Sequence, residues 1–74
     1  MSAKYSQPTA LWRLRHPDGR LARATLYPSG FGYTVSWRID ESVKGLQEFR
    51  EWKPAIQRAD RLRSELIHSG WRDA

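Results

Sequence analysis

The sequence predicts an α+β domain: a small antiparallel β-meander of three to four strands, followed by one C-terminal α-helix packed across one face. Three observations support this. Apolar and polar residues alternate along residues 10–39, as in half-buried strands. The turn sequences HPDG and YPSG lie eleven residues apart, a spacing typical of a meander. From Pro54 onward, the apolar spacing changes to three and four residues, which indicates a helix.

The first two strands are predicted on either side of HPDG. In ALWRLRH, Trp12 and Leu14 share one face, and in RLARATLY the residues Ala22, Ala24 and Leu26 do the same. Proline pre-sets φ at the first turn position, and the glycine accepts a positive φ. We therefore expect a hairpin here.

The third strand, FGYTVSWRID, has the clearest alternation. ESVKG reads as an acidic loop, and LQEFREW reads as a fourth strand. The phase of that strand stays open, because Leu46 and Phe49 cannot share a face without a bulge. The buried side of the third strand is predicted to comprise Phe31, Tyr33, Val35, Trp37 and Ile39.

The helix is predicted over about 54–69. Pro54 suits its first position. With Gly70 in the left-handed conformation just past its end, Trp71 should contact Leu66 and pin the helix. Its apolar stripe consists of Ala55, Ala59, Leu62 and Leu66, flanked by Ile56 and Ile67.

Residues 1–9 are expected to form a flexible N-terminal tail and residues 10–74 a single domain. The chain has no cysteine, which excludes disulfides and thiolate metal sites and suits a cytoplasmic location. No stretch approaches the ~20 apolar residues that a bilayer span requires, so no membrane association is expected.

The positive charge is concentrated in the first half of the chain. Residues 40–74 carry seven basic and seven acidic residues, whereas residues 1–39 carry one acidic residue, Asp18. A one-sided positive field attracts polyanions such as nucleic acids. The basic residues of the first half are Lys4, Arg13, Arg15, Arg20, Arg23 and Arg38.

The polar side of the strands is the candidate binding surface. Guanidinium groups match phosphate oxygens and the guanine edge, hydroxyls add phosphate contacts, and a tyrosine can stack on an unpaired base. The alternative is an ordinary solvated sheet face, although such a face would be expected to interleave Glu with Arg. The candidate nucleic-acid-binding residues are Arg13, Arg15, Arg23, Arg38, Tyr27, Thr25, Thr34 and Ser36.

No catalytic, cofactor or metal site is predicted. The sequence has neither a nucleophile elbow nor a glycine-rich phosphate loop. His16 and His68 stand alone, without metal-ligand spacing, and His68 suits the negative end of the helix dipole. The sequence therefore predicts a small basic non-enzymatic domain that binds nucleic acid, with duplex DNA favoured.

A second function stays open. An open sheet has two edges, and either can pair with a protein partner or with another copy of the chain. Leu21, Val43 or Leu46 outside the core would favour such a protein-interaction module or homodimer without a nucleic-acid role.

The segments GYTVSWRID, KGLQEFREW and AIQRADRLRSEL resemble, in order and spacing, the DNA-binding domain of plant ethylene-response factors. The element order also resembles the arm-site-binding N-terminal domains of phage and transposon integrases. The likeness covers about residues 31–71. It implies a sheet that lies in a major groove through Arg and Trp side chains. Because Arg38 is followed by Ile39 and Asp40, which departs from the family pattern, no individual contact residue carries over.

Overall fold

The computed structural model describes residues 5–74 and confirms the predicted fold class. The elements in chain order are β1 (Thr9–Arg15), β2 (Leu21–Pro28), β3 (Tyr33–Ile39), β4 (Ser42–Phe49), α1 (Trp52–His68) and β5 (Arg72–Asp73). The strands form one antiparallel sheet in the order β4-β3-β2-β1-β5. The first four strands are thus the predicted meander. After α1 the chain returns to add a short fifth strand, which was not predicted, beside β1.

The HPDG turn between β1 and β2 is tightly hydrogen-bonded. The His16 carbonyl accepts a hydrogen bond from Gly19 N–H at 2.9 Å, and Gly19 has a φ of +100°. The Arg20 N–H donates to Asp18 Oδ1 at 3.0 Å, and Arg20 Nε donates to Oδ2 at 2.8 Å. The hydrogen bond from the Arg20 backbone N–H is the main cause that holds the pKa of Asp18 below its usual value, and the bond from Arg20 Nε adds to it.

The core lies between one face of the sheet and α1. Ala55 and Ala59 are buried against the sheet, and their small side chains let the helix lie close to it. The indole Nε1–H of Trp12 donates to the Ala59 carbonyl at 2.9 Å, which ties β1 to the middle of the helix. The buried hydrophobic residues are Trp12, Leu14, Ala22, Ala24, Leu26, Tyr33, Val35, Ala55, Ala59 and Trp71.

The helix ends as its sequence predicts. Gly70 has a φ of +101°, its N–H donates to the Ile67 carbonyl, and Trp71 N–H donates to the Leu66 carbonyl, both at 3.1 Å. This pair of bonds is a Schellman motif, which satisfies carbonyls that have no partner within the helix. The helix begins two residues earlier than predicted. Pro54 is therefore its third residue, where a missing N–H still costs no helical hydrogen bond.

The prediction of a loop at ESVKG is wrong, because β4 begins at Ser42. A two-residue turn, Asp40 and Glu41, connects β3 to β4, and Asp40 adopts a φ of +54°. Asp40 N–H donates to the Leu21 carbonyl at 2.7 Å, and Leu21 N–H donates back to Asp40 Oδ1 at 3.1 Å. These two bonds hold the aspartate in a conformation more usual for glycine.

The phase of β4 is also resolved. Leu46 lies opposite Ser36 on the side of the sheet away from α1, whereas Phe49 packs against the core. No bulge separates them. The irregularity lies earlier, where Lys44 is left unpaired in the ladder with β3.

One residue predicted to be buried, Phe31, is exposed, and Ile67, predicted to flank the helical stripe, is exposed as well. Phe31 is 56% exposed, because it lies in the turn before β3 and outside the strand alternation; the Arg50 guanidinium lies 5.5 Å from its ring centroid. Ile67 is 38% exposed, since it flanks the helical stripe on the solvent side. Trp37 and Ile39 are half-buried and pack at the edge of the core.

The N-terminal boundary differs from the predicted tail of residues 1–9. β1 begins at Thr9, and Tyr5 packs edge-on against Tyr33 and Trp52, with ring centroids 6.3 Å and 5.7 Å away. These aromatic contacts attach the chain to the domain from residue 5 onward. The rest of the predicted tail, residues 1–4, lies outside the described residues.

Candidate nucleic-acid interface

Three arginines form a row across the face of the sheet opposite to α1, here called the open face. Arg13 on β1 lies opposite Arg23 on β2, and Arg23 lies opposite Arg38 on β3. Because adjacent strands are ~4.8 Å apart, the row spans about 10 Å. Directly opposed like charges destabilise a sheet, so this row opposes the stability of the fold.

Two further arginines extend the row toward the sheet edge formed by β5. Arg15 follows Arg13 on the same face of β1, and it lies opposite Arg72 of β5. Arg72 was missed by the sequence reasoning, because the two-residue strand that carries it has no alternation to detect. We call this set the arginine cluster, and its members are Arg13, Arg15, Arg23, Arg38 and Arg72.

The arginine cluster lacks acidic partners. Over residues 5–74, no ion pair involves any of its side chains. Two arginines elsewhere do form ion pairs: Arg20 pairs with Asp18 at 2.8 Å and Arg63 pairs with Asp73 at 2.7 Å. Four members of the cluster are exposed and Arg38 is half-buried. Their guanidinium groups are therefore free to bind an external anion.

The predicted hydroxyl-bearing residues lie beyond the row, toward the other end of the strands. Tyr27 is opposite Thr34, Thr25 is opposite Ser36, and three of the four are half-buried. Ser36 differs, because it is only 4% exposed between its neighbours Thr25 and Leu46. It cannot contact a phosphate directly without a movement of these neighbours. The register thus brings all eight predicted residues to one face but leaves seven accessible.

Carboxylates border the open face at two places. Glu48 lies opposite Thr34 in the hydroxyl half. Asp40 and Glu41 occupy the turn beside the arginine row, where Asp40 accepts the hydrogen bond from Leu21 N–H. This turn closes a cavity of about 140 Å³ that is lined by Arg13, Leu21, Ala22, Arg23, Asp40 and Glu41.

Apolar side chains occupy the outer strand β4. Val43, opposite Arg38, is 49% exposed, and Leu46 is 65% exposed. Leu21 on β2 is half-buried. Val43 and Leu46 meet the condition stated above for an interaction through a sheet edge. The open face therefore combines the arginine cluster with an apolar border along β4.

No protein-family model, curated protein or solved structure matches this chain. The resemblance to ethylene-response-factor and integrase domains thus stays a prediction. Within residues 5–74, no helix is long and apolar enough to cross a bilayer. The same part of the chain holds no cluster of three or more His, Cys, Asp or Glu side chains suited to a metal ion.

Proposed function

We propose that this domain binds nucleic acid, and duplex DNA in preference to RNA, through the arginine cluster on its open face. The observation that carries the proposal is the row of Arg13, Arg23 and Arg38, which are directly opposed across three strands. Such a row raises the free energy of the folded state unless an anion compensates it. A phosphate backbone is an anion with repeated charges at short spacing.

The binding would be mainly electrostatic. Each guanidinium that neutralises a phosphate releases condensed counterions, so log K falls with log salt by ~0.9 per contact. The four arginines of the meander would give a slope of about −3.6. Thr25, Thr34 and Tyr27 would add contacts to phosphates or bases at the edge of the cluster.

The shape of the sheet favours duplex DNA. The arginine row spans about 10 Å, close to the ~12 Å width of the B-DNA major groove, and antiparallel strands can enter that groove. The major groove of A-form RNA is too narrow for side chains to read. A mixed-sequence RNA duplex should therefore bind more weakly than the DNA duplex of the same sequence.

A titration by NMR tests the proposal. Labelled protein is mixed with a mixed-sequence DNA duplex at low and at near-physiological salt. We expect amide shifts on residues 13–38 and at Arg72 that fade as salt rises, because counterion release drives the binding. Arg61 and Glu65, exposed on α1, serve as internal controls and should not shift. Absence of shifts at low salt, or shifts centred on α1, would contradict the proposal.

A second candidate function is a protein-interaction module or a homodimer formed through the β4 edge, with no nucleic-acid role. The exposure of Val43 and Leu46 favours it, since apolar side chains on an unpaired outer strand promote strand addition. Lys44 opposes it, because a charged residue in a bulge blunts an edge. We therefore place this candidate second.

This second function predicts self-association that persists at high salt and that Leu46→Lys abolishes. The added charge would lie at the centre of the paired edge, where it loses hydration without gaining a partner. Sedimentation velocity at several protein concentrations measures the effect. Ile67→Lys, on the exposed side of α1, is the matched control and should leave the association unchanged. A monomer at all concentrations would contradict self-association.

The proposal treats the domain as a binding protein without catalytic activity or a cofactor. It rests here on the sequence, which has neither a nucleophile elbow nor a glycine-rich phosphate loop. A cytoplasmic location belongs to the same proposal and rests on the absence of cysteine.

A further inference from the structure

A second basic feature lies where β1 ends and β5 begins. A cavity of about 570 Å³ opens there at the end of the sheet. Its lining comes from the end of β1, the HPDG turn and β5. The lining residues are Arg15, His16, Pro17, Gly19, Arg72 and Asp73.

Two of the charges that line this cavity are uncompensated. Arg15 and Arg72 lie directly opposite each other on antiparallel strands, so their Cβ atoms are ~5 Å apart. The Asp73 carboxylate is occupied, because both of its oxygens accept hydrogen bonds from Arg63 Nη2 at 2.7 Å. The cavity therefore presents two adjacent guanidinium groups with no carboxylate free to neutralise them.

The wall of the cavity that the HPDG turn forms is held in place before any ligand arrives. The HPDG turn is fixed by the His16–Gly19 and His16–Arg20 backbone bonds, both 2.9 Å long. Trp71 is buried behind the turn, with the His16 ring at 5.1 Å and the Arg20 guanidinium at 5.1 Å from its ring. A preformed wall loses little conformational entropy when a ligand binds against it.

We propose that this cavity binds a phosphate dianion between Arg15 and Arg72, of the kind found in a terminal phosphomonoester. Two guanidinium groups balance two negative charges, whereas an internal phosphodiester carries only one. The inference deepens the proposed function and rests on it in part, since Arg15 and Arg72 belong to both the arginine cluster and the cavity. Its distinct content is the joint binding of one dianion by Arg15 and Arg72 and a preference for strand ends or free phosphate over internal phosphates.

The primary test is an NMR titration of the full chain with inorganic phosphate at constant ionic strength, with chloride as the balancing anion. We expect saturable amide shifts confined to residues 15–19 and 71–73. Arg72→Ala should weaken the binding at least tenfold, because hydrogen bonds between charged partners are the strong ones. Arg61→Ala removes an exposed arginine from α1 and should leave the affinity unchanged. Arg72→Gln removes the charge but keeps most of the side chain. It therefore shows whether a loss of affinity in Arg72→Ala comes from the missing charge or from a loss of β5 pairing.

Shifts spread over every exposed arginine, or an unchanged affinity in both Arg72 variants, would overturn the proposal. A second arm compares a short oligonucleotide with a 5′-phosphate against the same strand with a 5′-hydroxyl. Tighter binding of the phosphorylated strand, lost in Arg72→Ala, identifies strand ends as the source. If inorganic phosphate binds but the 5′-phosphate does not tighten binding of the strand, the cavity is a site for small phosphorylated molecules. If duplex binding fails while inorganic phosphate still shifts residues 15–19, the proposed function is wrong and the phosphate site stands.

Discussion

The double variant Arg23→Glu with Arg38→Glu is expected to lose duplex binding by at least about a hundredfold and to remain folded. Two phosphate contacts disappear, which lowers the salt slope by about 1.8, and two carboxylates then repel the backbone. The fold should survive because the opposed Arg23–Arg38 pair becomes a Glu–Glu pair of equal like-charge repulsion, while the glutamate at position 23 gains Arg13 as an oppositely charged neighbour. Fluorescence anisotropy with labelled duplex at several salt concentrations measures both the affinity and the slope.

A charge-matched control separates local contacts from the overall field. The double variant lowers the formal net charge from +5 to +1, since each exchange removes two units. Lys53→Glu with Arg61→Glu causes the same change on α1, away from the open face, and places a glutamate in the first helical turn, where it is tolerated. We expect this control to bind DNA several-fold more weakly at most. Equal losses in both variants would show that only net charge matters and would refute a specific arginine surface.

Truncation of Trp71 should have the largest effect on stability. Trp71→Ala is expected to lower the free energy of unfolding by about 3–5 kcal/mol, the usual cost of removing a buried aromatic side chain. Trp71 is 4% exposed, packs against His16 and Arg20, and follows the glycine that ends α1. A domain of this size rarely has more than ~5 kcal/mol from its core, so the variant should be largely unfolded at room temperature.

Urea denaturation followed by circular dichroism measures this loss. Ile67→Ala truncates a residue of the same helix that is 38% exposed, and it should change the free energy of unfolding by less than about 1 kcal/mol. Trp71→Phe should recover part of the stability, because a smaller ring still fills some of the same space. A Trp71→Ala variant as stable as the native chain would mean that the end of the chain is not part of the core.

The meander and the helix end were predictable because local chemistry determines them. Alternation placed Arg13 and Arg23 on one side of the sheet, and Gly70 followed by Trp71 marked the end of α1. The first half of β4 was not predictable. Its residues Ser42–Lys44 have no apolar alternation, and the turn before it uses Asp40, whose positive φ depends on hydrogen bonds to a residue nineteen positions away.

The candidate site was predictable only as a list of residues on one face. Strand pairing sets the register, and register alone shows that Arg13, Arg23 and Arg38 stand in one row. Two details depend on tertiary structure. Ser36 is covered by its neighbours, and Arg72 reaches the cluster because β5 pairs with β1. A two-residue strand is too short to show alternation in the sequence, and its position is determined by the strand with which it pairs.

The pairing of β5 with β1 has a consequence for the order in which the molecule assembles. The three hairpins join neighbouring segments, but Arg15 and Arg72 are 57 positions apart along the chain. Closing so long a loop costs more chain entropy than closing a hairpin, so we expect this contact to form late in folding. A short pairing at the sheet edge is also among the first to open in native-state fluctuations. The phosphate cavity would thus be the last part of the surface to be completed during folding.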